Sequence, residues 1–429
     1  MFSLPKKPKE PELELKFDSR KSPDGAFDWI FINTKVTDLR LPLSIIDGEK
    51  AITFKIDTTC PAVLEKNVKG VLTFLSEKEV NKLLKRGKTN NQSVDSGYLY
   101  VSSAGCTNEK SSASVLILNF LPDISNLVTI KISDILALSK SLSSKGIIFD
   151  ANSLAHIDSI NEKALQTLNL TNLQTYSDYS LVNVETKILK EVENSKNNDV
   201  SIEEIQSTKF LSLKKAIVTK SNGEKETILY GHRPNIHLDN KDFHGPQATS
   251  TLPFLKDKDG NFYLVTTKEN RPPLDGENLV ASPAGLCDLE DIDATVTAIR
   301  EFHEETDIEK GQICKDLVPY FLGYFSSTTK SVSEVFAGVA LIGEVDNLTK
   351  DELEKGIIIP KNSDGGVTIS VILIKIEKND SIEDIILKLS QFGAIDAHIA
   401  TMLNVFYTGL KAEKNLPNVA LVSLLDQIS

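Results

Sequence analysis

Short apolar runs separated by Gly, Pro and Asp fill the first third of the chain, a pattern that predicts strands bounded by turns. Residues 29–32, 51–56 and 70–74 are such runs. Residues 76–85 change to a helical period, opened by Ser76 with Glu79 at the spacing of a capping box. A strand is expected at 114–120, a helix at 133–143 and a buried strand at 146–150. Apolar residues then thin out through 190–209, which read as a linker or exposed connector. Two hairpins follow. One pairs 210–220 with 226–230 around Ser221-Asn222-Gly223, and the other spans 251–267 around Asp257-Lys258-Asp259-Gly260-Asn261. The chain therefore predicts an α/β protein in several parts: a flexible arm at 1–25, an accessory α+β domain at 26–189, a linker at 190–204 and a second domain at 205–429.

The densest chemistry lies in Arg300-Glu301-Phe302-His303-Glu304-Glu305. On a helix Glu301, Glu304 and Glu305 stand at i, i+3 and i+4, so their carboxylates share a face. Three like charges so close repel unless a cation neutralises them. Hard oxygen ligands at this density suit Mg²⁺ or Mn²⁺ held together with substrate phosphates. Ala298, Ile299 and Phe302 supply the apolar stripe opposite, and Asp293 stands where a helix N-cap is needed.

This stretch resembles the Nudix box, G-x5-E-x7-R-E-U-x-E-E-x-G-U, with U a bulky aliphatic. Gly285, Arg300, Glu301, Phe302, Glu304, Glu305 and Ile308 fill family positions in order. The chain departs from the pattern twice. The Gly285 to Arg300 spacing is one residue longer, which leaves the acidic position on Glu290 or Asp291, and Asp307 replaces the helix-ending glycine. The flanks, Glu269-Asn270-Arg271-Pro272-Pro273 and Pro283-Ala284-Gly285-Leu286-Cys287-Asp288, are similar to segments of ADP-ribose and ADP-sugar pyrophosphatases. Asp396-Ala397-His398 looks like the Asp-Ala-Lys that begins their late helix.

The resemblance implies an α/β/α sandwich with a mixed sheet and Mg²⁺-dependent hydrolysis of a nucleoside diphosphate sugar such as ADP-ribose. It implies metal ligands at Glu301, Glu304 and Glu305 together with the backbone carbonyl near Ala284 or Gly285. Arg300 would orient a glutamate, and Arg271 would meet the diphosphate or terminal ribose unless it is simply a surface-loop residue. Glu334 is the first choice of general base, with an ordinary strand-end carboxylate as its other reading and Glu304 as the fallback base. His303 is expected beside the carboxylates without a catalytic part. His232, His237 and His244 sit in a turn-rich segment at spacings that match no standard metal motif. The alternative reading is a nucleotide-sensing module without catalysis, whose N-terminal domain meets a protein partner. Subfamily likeness also implies a homodimer built on exchanged N-terminal strands.

Composition narrows the partners. A formal charge of −12 disfavours nonspecific nucleic-acid binding, which depends on neutralising phosphates with Lys and Arg. The 429 residues are 40% hydrophobic and 25% charged, with mean hydropathy −0.14, as in soluble globular chains. Cys60, Cys106, Cys287 and Cys314 are too dispersed for a disulfide framework or structural zinc site and read as reduced thiols. No apolar signal core opens the chain and no apolar run is long enough for a membrane span, so a cytoplasmic protein is expected. The order of elements over residues 40–155, ending in Ala151-Asn152-Ser153, is similar to SseB-type N-terminal domains.

Overall fold

The computed structural model describes residues 16–21, 28–33, 37–46, 49–65, 68–76, 79–80, 92–95, 99–102, 109–117, 126–157, 179–195, 198–208, 211–233, 247–274, 277–288, 290–308, 317–327, 331–346, 348–358, 369–413 and 421–428. Cys106, Cys314, His237 and His244 lie outside them, as does most of the helix expected at 76–85. Its opening is described: Ser76 N donates to Glu79 Oε2 at 2.9 Å and Glu79 N to Ser76 Oγ at 3.4 Å, the reciprocal capping box.

The fold is mixed α/β around a large mixed sheet. Strand Val335–Val345 is buried at nearly every position, as expected of a strand covered on both faces. It runs parallel to Ala248–Asp257, with Ala248 opposite Phe336, and antiparallel to Val318–Ser326. On the other side Ala248–Asp257 pairs antiparallel with both Phe262–Asn270 and Ala284–Leu286. Asp257 shapes the hairpin turn by accepting from Asp259 N at 2.9 Å and Asn261 N at 2.8 Å. Asn278–Ala281 and Ala394–Asp396 extend the sheet beside Phe262–Asn270.

The two halves of the chain share this sheet. Strand Ile147–Asp150 lies between Gly70–Thr73 and Val318–Ser326, parallel to both, with Phe149 opposite Leu72 on one side and Phe325 on the other. Tyr100–Val101 likewise runs parallel to Ala394–Asp396. One apolar cluster joins Phe54 and Phe149 to Phe254, Phe336 and Phe406. Helix Ile135–Ser143 packs on Val318–Ser326, and Ser139 Oγ donates to Leu322 O at 2.8 Å. At Gly323, with φ +134°, an added Cβ would lie 1.8 Å from Ser139 Oγ, so close approach and backbone angle both require glycine.

Two expected flexible segments hold regular structure. Residues 16–21, within the arm read as 1–25, pair antiparallel with Asp28–Asn33. The linker read at 190–204 contains the end of helix Leu181–Asn194 and most of strand Asp199–Ser207, so the line drawn at 204/205 falls inside that strand. The strand is exposed along its whole length, and its polar sequence looks like a connector although Val200 and Ile202 keep the two-residue period. It forms a separate four-stranded sheet with Ser212–Thr219, Lys225–His232 and Val332–Ser333. Among the described residues no helix is long and apolar enough to cross a membrane.

Candidate active site

The carboxylate helix spans Ala294–Thr306. Asp293 caps its start by accepting from Thr295 N at 2.8 Å and Val296 N at 3.1 Å. Asp307 ends it in the left-handed conformation at φ 53°, the state the missing glycine would have adopted freely. Phe302 and Ala298 anchor the helix in a core with Val339 and Leu341. The opposite face therefore meets strand Ala284–Leu286.

Glu301 lies directly against that strand. An added Cβ on Gly285 would stand 2.1 Å from Glu301 Cδ, so any larger residue would push the carboxylate from this place. Glu305 accepts from Ala284 N at 3.0 Å. Glu304 points outward and is exposed. The three do not share one environment: the helical spacing is as read, but Glu301 and Glu305 turn inward while Glu304 faces solvent. Desolvation pushes the Glu301 carboxyl up to about 7, beyond what its Arg300 pairing recovers. Burial and then the field of Glu269 lift Glu305 well above the ordinary carboxylate range.

Arg300 organises this face. Its guanidinium reaches Glu301 Oε1 at 2.7 Å, Glu304 Oε2 at 3.0 Å, Leu286 O at 2.9 Å and Asp291 Oδ2 at 2.8 Å. Of the two acidic candidates, Asp291 is buried and bonded to Thr297 Oγ1 and Asp288 N, while Glu290 is exposed. Burial alone would lift the Asp291 carboxyl, yet the Arg300 bond and its other donors hold it below the usual value.

Beside the helix opens a cavity of about 210 Å³. It is lined by Ala284, Gly285, Glu269 and Arg271 together with Arg233, Glu334, Ser327 and His398. Arg271 Nε pairs with buried Glu269. Glu334, 4% exposed, accepts from Arg233 Nη1 at 2.8 Å. Asp396 caps the late helix Ala397–Glu413, its Oδ1 accepting from His398 N at 2.8 Å. Burial raises its carboxyl, with the charge of Glu269 adding to the rise. The His398 ring stacks on Phe336 at 3.9 Å between centroids, and its Nε2 meets Ser327 Oγ at 3.2 Å.

The structure thus brings Arg271, Glu334 and Ala284 to one cavity, with Glu301 and Glu305 immediately behind its Ala284–Gly285 wall. Arg300 and Glu304 stand further out. His303 turns from the carboxylates: its Nδ1 contacts Ile308 O at 2.7 Å and its ring meets the edge of Phe302. His232 lies in strand Lys225–His232 near Glu65. Glu269, Asp396, His398 and Arg233 are cavity residues to which sequence reasoning gave no role. Glu269 and Arg271 are close in sequence, but Arg271 lies just past the end of strand Phe262–Asn270, so no strand period marks them as a pair. The others come from distant segments.

The carboxyl groups of Glu269, Glu334 and Asp396 and the guanidinium groups of Arg233 and Arg271 line the cavity, with Glu301 and Glu305 behind its wall. Glu301, Glu305 and Asp396 carry raised carboxyls, and such hard oxygen donors are what a divalent cation would neutralise, so the donor set fits Mg²⁺ or Mn²⁺ in chemistry. Among the described residues, no group of three or more His, Cys, Asp or Glu side chains is already gathered to hold a metal ion. Arg300 bridges Glu301 and Glu304 instead.

No protein-family model and no curated protein matches the chain. Similar solved structures include an ADP compounds hydrolase at 14% identity and TM-score 0.33, with 52% of this chain and 98% of that one covered. An Ap4A hydrolase from C. elegans shows 18% identity and TM-score 0.24 over 38% of this chain and 97% of its own. A Nudix hydrolase from M. smegmatis shows 11% identity and TM-score 0.25 over 47% and 97%. TM-scores this low lend no weight to a function. The likeness of residues 40–155 to SseB-type domains finds no support among these matches.

Proposed function

We propose that the chain is a Mg²⁺- or Mn²⁺-dependent pyrophosphohydrolase acting on the diphosphate of ADP-ribose or a related nucleoside diphosphate sugar. The observation that carries this reading is the burial of Glu301 and Glu305 against the Gly285 and Ala284 backbone, at the wall of a cavity that also holds Arg271 and Glu334. Glu301 and Glu305, with Glu304 and the Ala284 carbonyl, would hold the cation. When bound, Mg²⁺ offsets phosphate charge and makes its water a better nucleophile. Arg271, set by Glu269, supplies positive charge for the diphosphate. Glu334, set by Arg233, takes the proton as water adds to phosphorus and the P–O bond of the diphosphate breaks, leaving AMP and a sugar phosphate. At about 210 Å³ the cavity is smaller than the space usual for a whole drug-sized ligand, so it suits the diphosphate and one attached group, with the remainder at the mouth.

Purified protein with ADP-ribose and Mg²⁺ should release AMP, and Glu334→Gln should lower kcat by about 100-fold or more if Glu334 is the base. Unchanged kcat in that variant removes Glu334 from the chemistry and leaves Glu304, whose Glu304→Gln change then becomes the decisive one. A second reading, a nucleotide sensor without turnover, is favoured by one observation: Arg300 already occupies Glu301 and Glu304. Calorimetry separates the two, because a sensor binds ADP-ribose without releasing AMP. The N-terminal region would then carry the signal to a protein partner or a second copy of the chain.

A further inference from the structure

We propose that Asn152, from the N-terminal half, is a positioning residue of the cavity: it sets Ser327, and through Ser327 it sets His398. The proposal rests on reading this cavity as the substrate site. Asn152 is 2% exposed, in the short helix Ala151–Ala155 that Asp150 caps by accepting from Ser153 N at 3.0 Å. Its Oδ1 accepts from Ser102 Oγ at 2.6 Å and Ser111 Oγ at 3.3 Å. Two hydroxyl donors on the oxygen fix the sense of the amide and leave Nδ2 to donate to Ser327 O at 3.3 Å. Ser327 Oγ in turn meets His398 Nε2, and both residues line the cavity. Ser327 N also donates to Glu334 O at 3.1 Å, so the peptide that Asn152 holds is tied to the candidate base.

The same half of the chain braces the neighbouring walls. Buried Glu109 accepts from Ser331 Oγ. Val101 packs with Leu274 and Leu279 beyond Arg271, and Lys110 pairs with Glu277 at 2.7 Å. Asp396, which caps the helix bearing His398, lies in the ladder opposite Val101. Apolar contact alone would dock two domains. A buried amide satisfied on one side by its own half and directed on the other at the backbone of a cavity segment does more, because buried polar networks specify one arrangement when every member is paired.

The test uses the full chain. Asn152→Asp keeps the shape and the acceptor for Ser102 and Ser111 but loses the Nδ2 donor. Thr401→Val removes a different tie on the same short helix, Thr401 Oγ1 to Ala151 O at 2.6 Å, from a residue that shares the helix of His398 but does not line the cavity. Ring signals of ¹⁵N-histidine-labelled protein, with His398 assigned by its loss in His398→Gln, are read beside Tm, kcat and KM for AMP release. Asn152→Asp should move the His398 signals and raise KM about tenfold, the order expected for losing one buried hydrogen bond, with kcat little changed. Thr401→Val should lower Tm and leave both unchanged. Ser327→Ala should reproduce the His398 shift, and it decides the matter if Asn152→Asp does not fold. Unmoved His398 signals in Ser327→Ala, or equal effects from Thr401→Val and Asn152→Asp, would overturn the proposal. Moved signals in Asn152→Asp, beside a wild type that releases no AMP, would uphold Asn152 as a positioning residue and count against hydrolysis.

Discussion

At Gly285 a single methyl group decides the geometry. Gly285→Ala would drive a Cβ into the Glu301 carboxylate, and displacement of a reacting group by about 1 Å can cost about 100-fold in rate. AMP release should fall by at least that order, while circular dichroism shows the fold retained. Glu301 also makes a pH prediction. Its folded carboxyl, near 7, lies above the 4.5 of a free glutamate, so the folded state holds a proton that the unfolded state has already lost between those values. This group's contribution is fully present below about 4.5 and is lost as pH rises to about 7. Thermal scans without metal should show Tm falling over that window as far as Glu301 governs it, and Mg²⁺ should raise Tm more at pH 8 than at pH 5. A Mg²⁺ increment independent of pH would place the ion elsewhere. Helical spacing made Glu301, Glu304 and Glu305 legible in the sequence, but not which of them turned inward. That depends on Gly285 and Ala284, across a loop from the helix.

At the scale of elements, the carboxylate helix should respond at each end. Asp293→Ala removes bonds to Thr295 N and Val296 N and should cost about 1 kcal/mol in denaturant unfolding. Asp307→Gly relieves a left-handed non-glycine residue and should stabilise by up to about 1 kcal/mol, without effect on KM. A loss of stability in Asp307→Gly would mean that the interactions of the aspartate outweigh the strain. Both ends could be read from local chemistry, because caps and left-handed stops act within a turn or two of the chain. The hairpin at Asp257–Asn261 was legible for the same reason. The strand Asp199–Ser207 was not: it is exposed throughout, so no buried face marks its period, and only pairing with Ser212–Thr219 defines it.

Across the whole molecule, the two halves are joined by the parallel strands Ile147–Asp150 and Val318–Ser326 and by one shared apolar cluster. The domain division drawn from sequence missed this, since local patterns reveal that a strand will be buried but not which distant strand will cover it. The places of His398 and Asn152 at and beside the cavity were hidden for the same reason. A shared core predicts one cooperative thermal transition in the intact chain and failure of the fragment 205–429 to fold alone, exposing Phe325 and Phe336. Two separated calorimetric transitions would contradict it. The most direct measurement is AMP release from ADP-ribose by the intact protein across a Mg²⁺ titration, with Glu301→Gln in parallel. The expected result is metal-dependent turnover that falls by about 100-fold or more in the variant. Turnover equal in the two proteins, or none in the wild type at saturating Mg²⁺, would contradict the assignment of this carboxylate face to pyrophosphate hydrolysis.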